Sequence, residues 1–221
     1  MSAAEPTSRR PIGLAPGAPE QAAGQDAKKY STTNPVVVRL IDRWLGRLTG
    51  VLAAEPLGAM VDVGVGEGLA LERLVAADQR VIGVEYRLDK VRLAADRLPG
   101  LSGIVADAGM LPLADAVADT VTSIEVLEHL VDPAAAVEEL ARICRGRLVV
   151  SVPWEPWFRL GNLGRGKNVG RIGNDPEHVQ QFSPGRLRRL LETQFSEVEV
   201  LPTFPWLIAV AAAPRVRSIS A

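Results

Sequence analysis

From Gly58 to Pro153 the chain alternates short apolar runs with amphipathic stretches, and this alternation constrains its fold more than any other feature. "AMVDVG" (59–64), "RVIGVEY" (80–86), "SGIVAD" (102–107), "DTVTSIEV" (119–126) and "RLVVSVP" (147–153) read as strands. Several have the continuous apolar character of a sheet covered on both faces. Helical patterns over roughly 68–78, 87–98 and 133–145 lie between them, the last opening with Asp132 as cap and Pro133 in the first turn. Strand and helix in alternation demand right-handed crossovers. The result is a Rossmann-like, doubly wound, mostly parallel α/β sheet whose ligands bind beyond the carboxyl ends of the strands. A helix at about 184–194 follows, and then "SEVEVLP" and "FPWLIAVA" with only a short turn between them, which predicts a terminal antiparallel hairpin and seven strands in all.

Ahead of this core, "NPVVVRLIDRWLGRL" (34–48) predicts an amphipathic helix with Asn34 as cap and Pro35 at the first position. Of the first 27 residues 14 are Ala, Pro or Gly without apolar period, so residues 1–28 are expected to form a mobile tail. One domain is expected over 29–214, with a lid-like insertion at about 154–182 and a short tail at 215–221. In the 221 residues, 25 basic and 26 acidic side chains leave a net charge of −1, which argues against nucleic acid as partner. The single cysteine, Cys144, excludes an internal disulfide and is expected to be buried at a helix end. Arg9 and Arg10 are not followed by an apolar stretch, and "FPWLIAVAAA" is too short to cross a bilayer. A cytoplasmic protein is expected, with peripheral membrane contact still open.

"VDVGVGEGLALERL" (61–74) reads as strand, glycine turn and helix start. Gly64, Gly66 and Gly68 permit positive φ and let a ligand approach the backbone. The dinucleotide fingerprint G-x-G-x-x-G fails, since its last position falls on Leu69 or Leu71. Asp62 before the turn would repel a pyrophosphate and welcome a cationic amino group or sulfonium. Glu85, 21 residues beyond Gly64, ends the second strand where a carboxylate can accept from both ribose hydroxyls. Asp107 ends the third, where it can accept from an adenine amine beside Met110 and Leu111.

These ordered segments resemble the class I S-adenosylmethionine-dependent methyltransferases, over about 30–213 and within the type 11 group. The resemblance implies that Asp62 and Gly64 meet the methionine portion, Glu85 the ribose, and Asp107 with the backbone of Ala108 the adenine. Gly66, Gly68, Tyr86 and Glu125 complete the implied S-adenosylmethionine site.

"SIEVLEHLVDP" (123–133) carries Glu125, Glu128 and His129 at i, i+3 and i+4, one face if the chain turns helically after the strand. That spacing suits Mg²⁺ or another divalent cation, with His178, the only other histidine, as a fourth ligand. The segment is similar to one in the O-methyltransferases of ubiquinone biosynthesis, and to the metal-holding segment of small-RNA 3′-terminal 2′-O-methyltransferases. Three roles for His129 stay open: general base toward an acceptor hydroxyl, metal ligand, or a group bonded at the helix entry. Trp154, Trp157 and Phe158 beside Arg159, Arg165, Lys167 and Arg171 could dock a phenol, an isoprenoid quinone precursor, a saccharide or a lipid-linked acceptor. The expected function is therefore O-methylation of a small or medium hydroxylated acceptor. An NAD-dependent oxidoreductase and a non-catalytic nucleoside-binding module on the same fold are the alternatives.

Overall fold

Asn34 caps α1 (Pro35–Ala53) as the sequence requires, its side-chain oxygen accepting from the N–H groups of Val36 and Val37 at 3.0 and 3.3 Å. The computed structural model describes residues 30–157 and 179–215. The tails proposed for 1–28 and 215–221 lie outside these residues except for Arg215, and so does the interior of the insertion, 158–178, with His178, Phe158 and its four basic residues.

After α1 come β1 (Met60–Val63), α2 (Leu71–Leu74), β2 (Val81–Glu85), α3 (Leu88–Arg97), β3 (Leu101–Val105) and β4 (Ala118–Ile124). They are followed by a 3₁₀ turn at Leu127–His129, α4 (Pro133–Ile143), β5 (Cys144–Pro153), α5 (Pro184–Glu192), β6 (Phe195–Thr203) and β7 (Trp206–Pro214). The seven strands form one sheet in the order β3-β2-β1-β4-β5-β7-β6. Pairs among β1 to β5 are parallel; β7 runs antiparallel to both β5 and β6, closing the sheet with the expected hairpin. Strand order reverses between β1 and β4, so a crevice opens at the carboxyl ends of those two strands.

The pleat sorts side chains to two cores. Leu148, Val150 and Val152 of β5, with Leu207, Ala209 and Ala211 of β7, pack in one cluster with Val137 and Leu140 of α4 and Leu187 and Leu191 of α5. Val149, Trp206 and Ile208 between them join Ile41, Trp44, Leu45 and Leu48 of α1 on the other face. Continuous apolar strands are thus explained by helices on both sides.

Two expectations need correction. The helix foreseen over 68–78 shrinks to the single turn of α2, because Gly68 sits at φ +77° and Ala70 offers no capping side chain. The helix foreseen over 133–145 stops at Ile143, and Cys144 stands at its end as the C-cap. It is extended at φ −86° and ψ 126°, pairs with Ala118, and opens β5 three residues before the predicted start. It is buried, as expected.

Candidate cofactor site

At the end of β1 the chain turns through Gly64, Gly66 and Gly68, all at positive φ. A β-carbon on Gly64 would collide with the side chain of Val126, the second residue beyond β4, so the turn and the segment after β4 are packed against each other. The N–H groups of Gly64 and Val65 both donate to the Val84 carbonyl, at 2.7 and 3.0 Å, which ties the turn to β2. Glu85 extends that tie: Oε2 accepts from Gly66 N at 3.1 Å and Oε1 from Arg87 N at 3.1 Å. A carboxylate has about four acceptor positions, so each oxygen keeps capacity for a ribose hydroxyl while the two backbone bonds fix its aim.

Asp62, buried within β1, accepts from the Thr122 hydroxyl on β4 at 2.5 Å. Loss of hydration pushes its carboxyl up to about 6; the Thr122 hydrogen bond opposes this, and the charge of nearby Glu85 adds to it. A carboxylate held this far above its ordinary range would be relieved by an incoming cation.

Asp107 follows β3 in a tight loop. Its Oδ1 accepts from Gly109 N at 2.8 Å, while Oδ2 is buried with no hydrogen-bond partner among the described residues. An unmatched buried acceptor is costly, and an adenine amine arriving at the carboxyl end of β3 would satisfy it. Ala108 lies next to it and is partly buried. Tyr86 and Met110 are 55% and 51% exposed, presenting apolar surface beside Glu85 and Asp107. The acids at these strand ends therefore fit an adenosine with a cationic amino-acid tail.

The Asp107 loop is fastened from α4. Arg142 donates to the carbonyls of Leu111 (3.0 Å) and Leu113 (2.7 Å) and to Asp115 (2.6 Å), and its Nε and Nη2 each reach Glu139 at 2.8 Å. Buried Glu139 in turn accepts from Leu111 N at 2.8 Å. Sequence reading missed this clamp, because Glu139 and Arg142 look like ordinary polar positions of an amphipathic helix.

The segment after β4 departs from the helical face expected of it. Glu125 stands at φ +56°, before the 3₁₀ turn begins at Leu127, so it does not share a helical face with Glu128 and His129. Its Oε1 accepts from the indole N–H of Trp206 at 2.7 Å. Glu128 is buried, and its carbonyl accepts from Val179 N and Gln180 N, both at 2.9 Å. His129 is partly exposed at the end of the turn. No three histidine, cysteine, aspartate or glutamate side chains come together as a metal would need among the described residues. His178, the proposed fourth ligand, lies outside them.

No helix among the described residues is long and apolar enough to cross a membrane. A family model described as a methyltransferase domain matches residues 61–150, from β1 to the middle of β5. A probable S-adenosylmethionine-dependent methyltransferase of Mycobacterium tuberculosis is 30% identical over 165 residues, covering 73% of this chain and 55% of that protein. The chain thus spans about half the length of such a relative. A demethylmenaquinone methyltransferase of Roseiflexus castenholzii is 30% identical over 166 residues, covering 68% of this chain and 70% of that one. In fold, the chain is similar to magnesium protoporphyrin IX methyltransferase from Synechocystis, with a TM-score of 0.64 at 17% identity over 86% of this chain and 95% of that one. The matched stretch begins on the strand that leads into the glycine turn and contains every acid just described, and on that basis the chain belongs to the class I S-adenosylmethionine-dependent methyltransferases.

Proposed function

We propose that this protein binds S-adenosylmethionine at the carboxyl ends of β1, β2 and β3 and methylates an oxygen of a small or medium hydroxylated acceptor. The observation that carries the reading is the buried Oδ2 of Asp107, unmatched among the described residues, just beyond β3 and beside Glu85 of β2 and Asp62 of β1, strands that neighbour one another. Asp62 receives the amino group, Glu85 the ribose hydroxyls and Asp107 the adenine amine.

The cofactor, when bound, supplies a sulfonium-activated methyl whose transfer forms the O–CH₃ bond, breaks the S–CH₃ bond and leaves S-adenosylhomocysteine. The chain's part is to orient the acceptor and take its proton. His129, partly exposed just past β4, is the proposed base. Trp157 and Phe204, each 44% exposed and meeting edge to face at 6.2 Å, support an aromatic or apolar acceptor at the ends of β5 and β6. The demethylmenaquinone methyltransferases among the relatives make a quinone-type ring one candidate of that class.

Calorimetry with S-adenosylhomocysteine and with NADH tests the cofactor assignment. Saturable binding of the first is expected, and tight binding of NADH alone would overturn it. A panel of phenols, quinols and saccharides tests the acceptor, with formation of S-adenosylhomocysteine as the readout. A protein that binds the cofactor and never consumes it would be a nucleoside-binding module instead.

A further inference from the structure

Glu125 is held by a device that joins the end of β4 to β5, β7 and α1. Its backbone is in the left-handed region, which disfavours any residue with a β-carbon. Its N–H donates to the Ser151 carbonyl at 2.8 Å and its carboxylate accepts from Trp206 Nε1 at 2.7 Å. Trp206 is itself immobilised. It is 4% exposed, pairs in the sheet with Pro153 and Thr203, and stacks on Trp44 of α1 with ring centroids 4.8 Å apart and planes 16° from parallel. The Trp44 indole N–H donates to Ser151 Oγ at 2.8 Å, and that hydroxyl donates to the Leu207 carbonyl at 3.1 Å. Ser151 therefore meets Glu125 through its backbone and Trp44 through its side chain. Val126 occupies the space that a β-carbon on Gly64 would need, so the segment at 125–126 is packed directly against the glycine turn.

We propose that Trp206, backed by Trp44, is a positioning residue that sets the cofactor site by holding Glu125 in its left-handed conformation against the glycine turn. The inference rests on the reading of this site as an S-adenosylmethionine site. Phenylalanine at 206 could keep the stack on Trp44 but has no N–H to give, so the hydrogen bond can be removed without emptying the core.

W206F, E125Q and the double variant are compared with the wild type by calorimetry with S-adenosylhomocysteine and by urea unfolding. W206F is expected to weaken binding by about 5- to 20-fold, a fraction of what a charge-assisted hydrogen bond contributes, because Trp206 acts on the ligand only through Glu125. The double variant is expected to bind no worse than the weaker single variant, because E125Q takes the charge from the hydrogen bond that W206F removes and both changes act on one link. Loss of packing alone would lower stability without that non-additivity in ligand affinity. W206F binding like the wild type, or effects that multiply, would overturn the inference. Should W206F not fold, the indole N–H proton resonance of Trp206 in the wild type and in E125Q gives the second measurement. It is expected to move with the E125Q change and with added S-adenosylhomocysteine, and a resonance insensitive to both would overturn the inference. A wild type that fails to bind S-adenosylhomocysteine refutes the site reading itself, and the inference with it, whereas wild-type binding that W206F leaves intact refutes the inference alone.

Discussion

Asp62 shows how one buried carboxyl can link ligand and pH. Its folded pKa of about 6 lies above the ordinary carboxylate value of 3.8, so between those limits the folded protein holds a proton that the unfolded chain has released. The associated stability is fully present below about pH 4 and is lost as pH rises through 6, by on the order of 3 kcal/mol for a shift of about two units. Urea unfolding from pH 4 to pH 7 should show this decline, and Asp62→Asn should flatten it. A ligand bearing a cationic amino group favours the ionised form, so S-adenosylhomocysteine should bind more tightly at pH 7 than at pH 5 in the wild type and lose that dependence in Asp62→Asn. At Glu85 the expectation concerns hydrogen bonds. Glu85→Ala removes the proposed ribose acceptor and frees Gly66 N and Arg87 N, and should weaken S-adenosylhomocysteine by about 1–3 kcal/mol in calorimetry. Unchanged affinity would refute the ribose assignment.

At the scale of elements, the cofactor crevice is made of short connections braced by distant partners. The loop after β3 sends Leu111 into the core but leaves Met110 half exposed and Asp115 at the surface, and it is held by the Arg142 and Glu139 pair on α4. Arg142→Gln removes that brace and leaves the Glu139 carboxylate buried beside Leu111 N. A stability loss of about 2–4 kcal/mol is expected, somewhat below the cost of breaking a fully buried pair because Arg142 is partly exposed. Asp107 rides on this loop, so cofactor affinity should fall with it. Denaturant unfolding and calorimetry on one preparation check both effects, and a variant of wild-type stability would show that the clamp contributes nothing. α1 plays a comparable part on the other face, where the sequence showed an amphipathic helix and the fold makes Trp44 the backing for Trp206.

For the whole molecule, a ligand that binds only the folded state raises its stability by mass action. S-adenosylhomocysteine at about a hundred times its Kd should add about 2.7 kcal/mol, or roughly 5–10 °C in Tm for a chain of this size. The same increase is expected in EDTA, since Asp62 on β1, Glu85 on β2 and Asp107 just beyond β3 are proposed to meet the cofactor directly and none of them belongs to the expected metal set of Glu125, Glu128 and His129. A shift lost in chelator and restored by Mg²⁺ would instead bring in that set with His178. A thermal scan with and without ligand reads both outcomes.

The sequence by itself determined the doubly wound sheet, the closing hairpin, the helix caps at Asn34 and Asp132, and the order of Asp62, the glycines, Glu85 and Asp107. These follow from strand and helix periods and turn chemistry, which act over a few residues and are written in local spacing. It also placed α1 and Trp44 on an apolar face, without saying what that face would meet. Only the tertiary structure decided that Glu125 turns away from Glu128 and His129, that its carboxylate meets an indole 81 positions away, and that Trp44 reaches Ser151 across 107 positions. It likewise left Asp107 Oδ2 unmatched and drew Arg142 onto the loop behind it. Such pairings depend on which strands become neighbours and on the face each side chain takes in the packed sheet, and no short window of residues contains them.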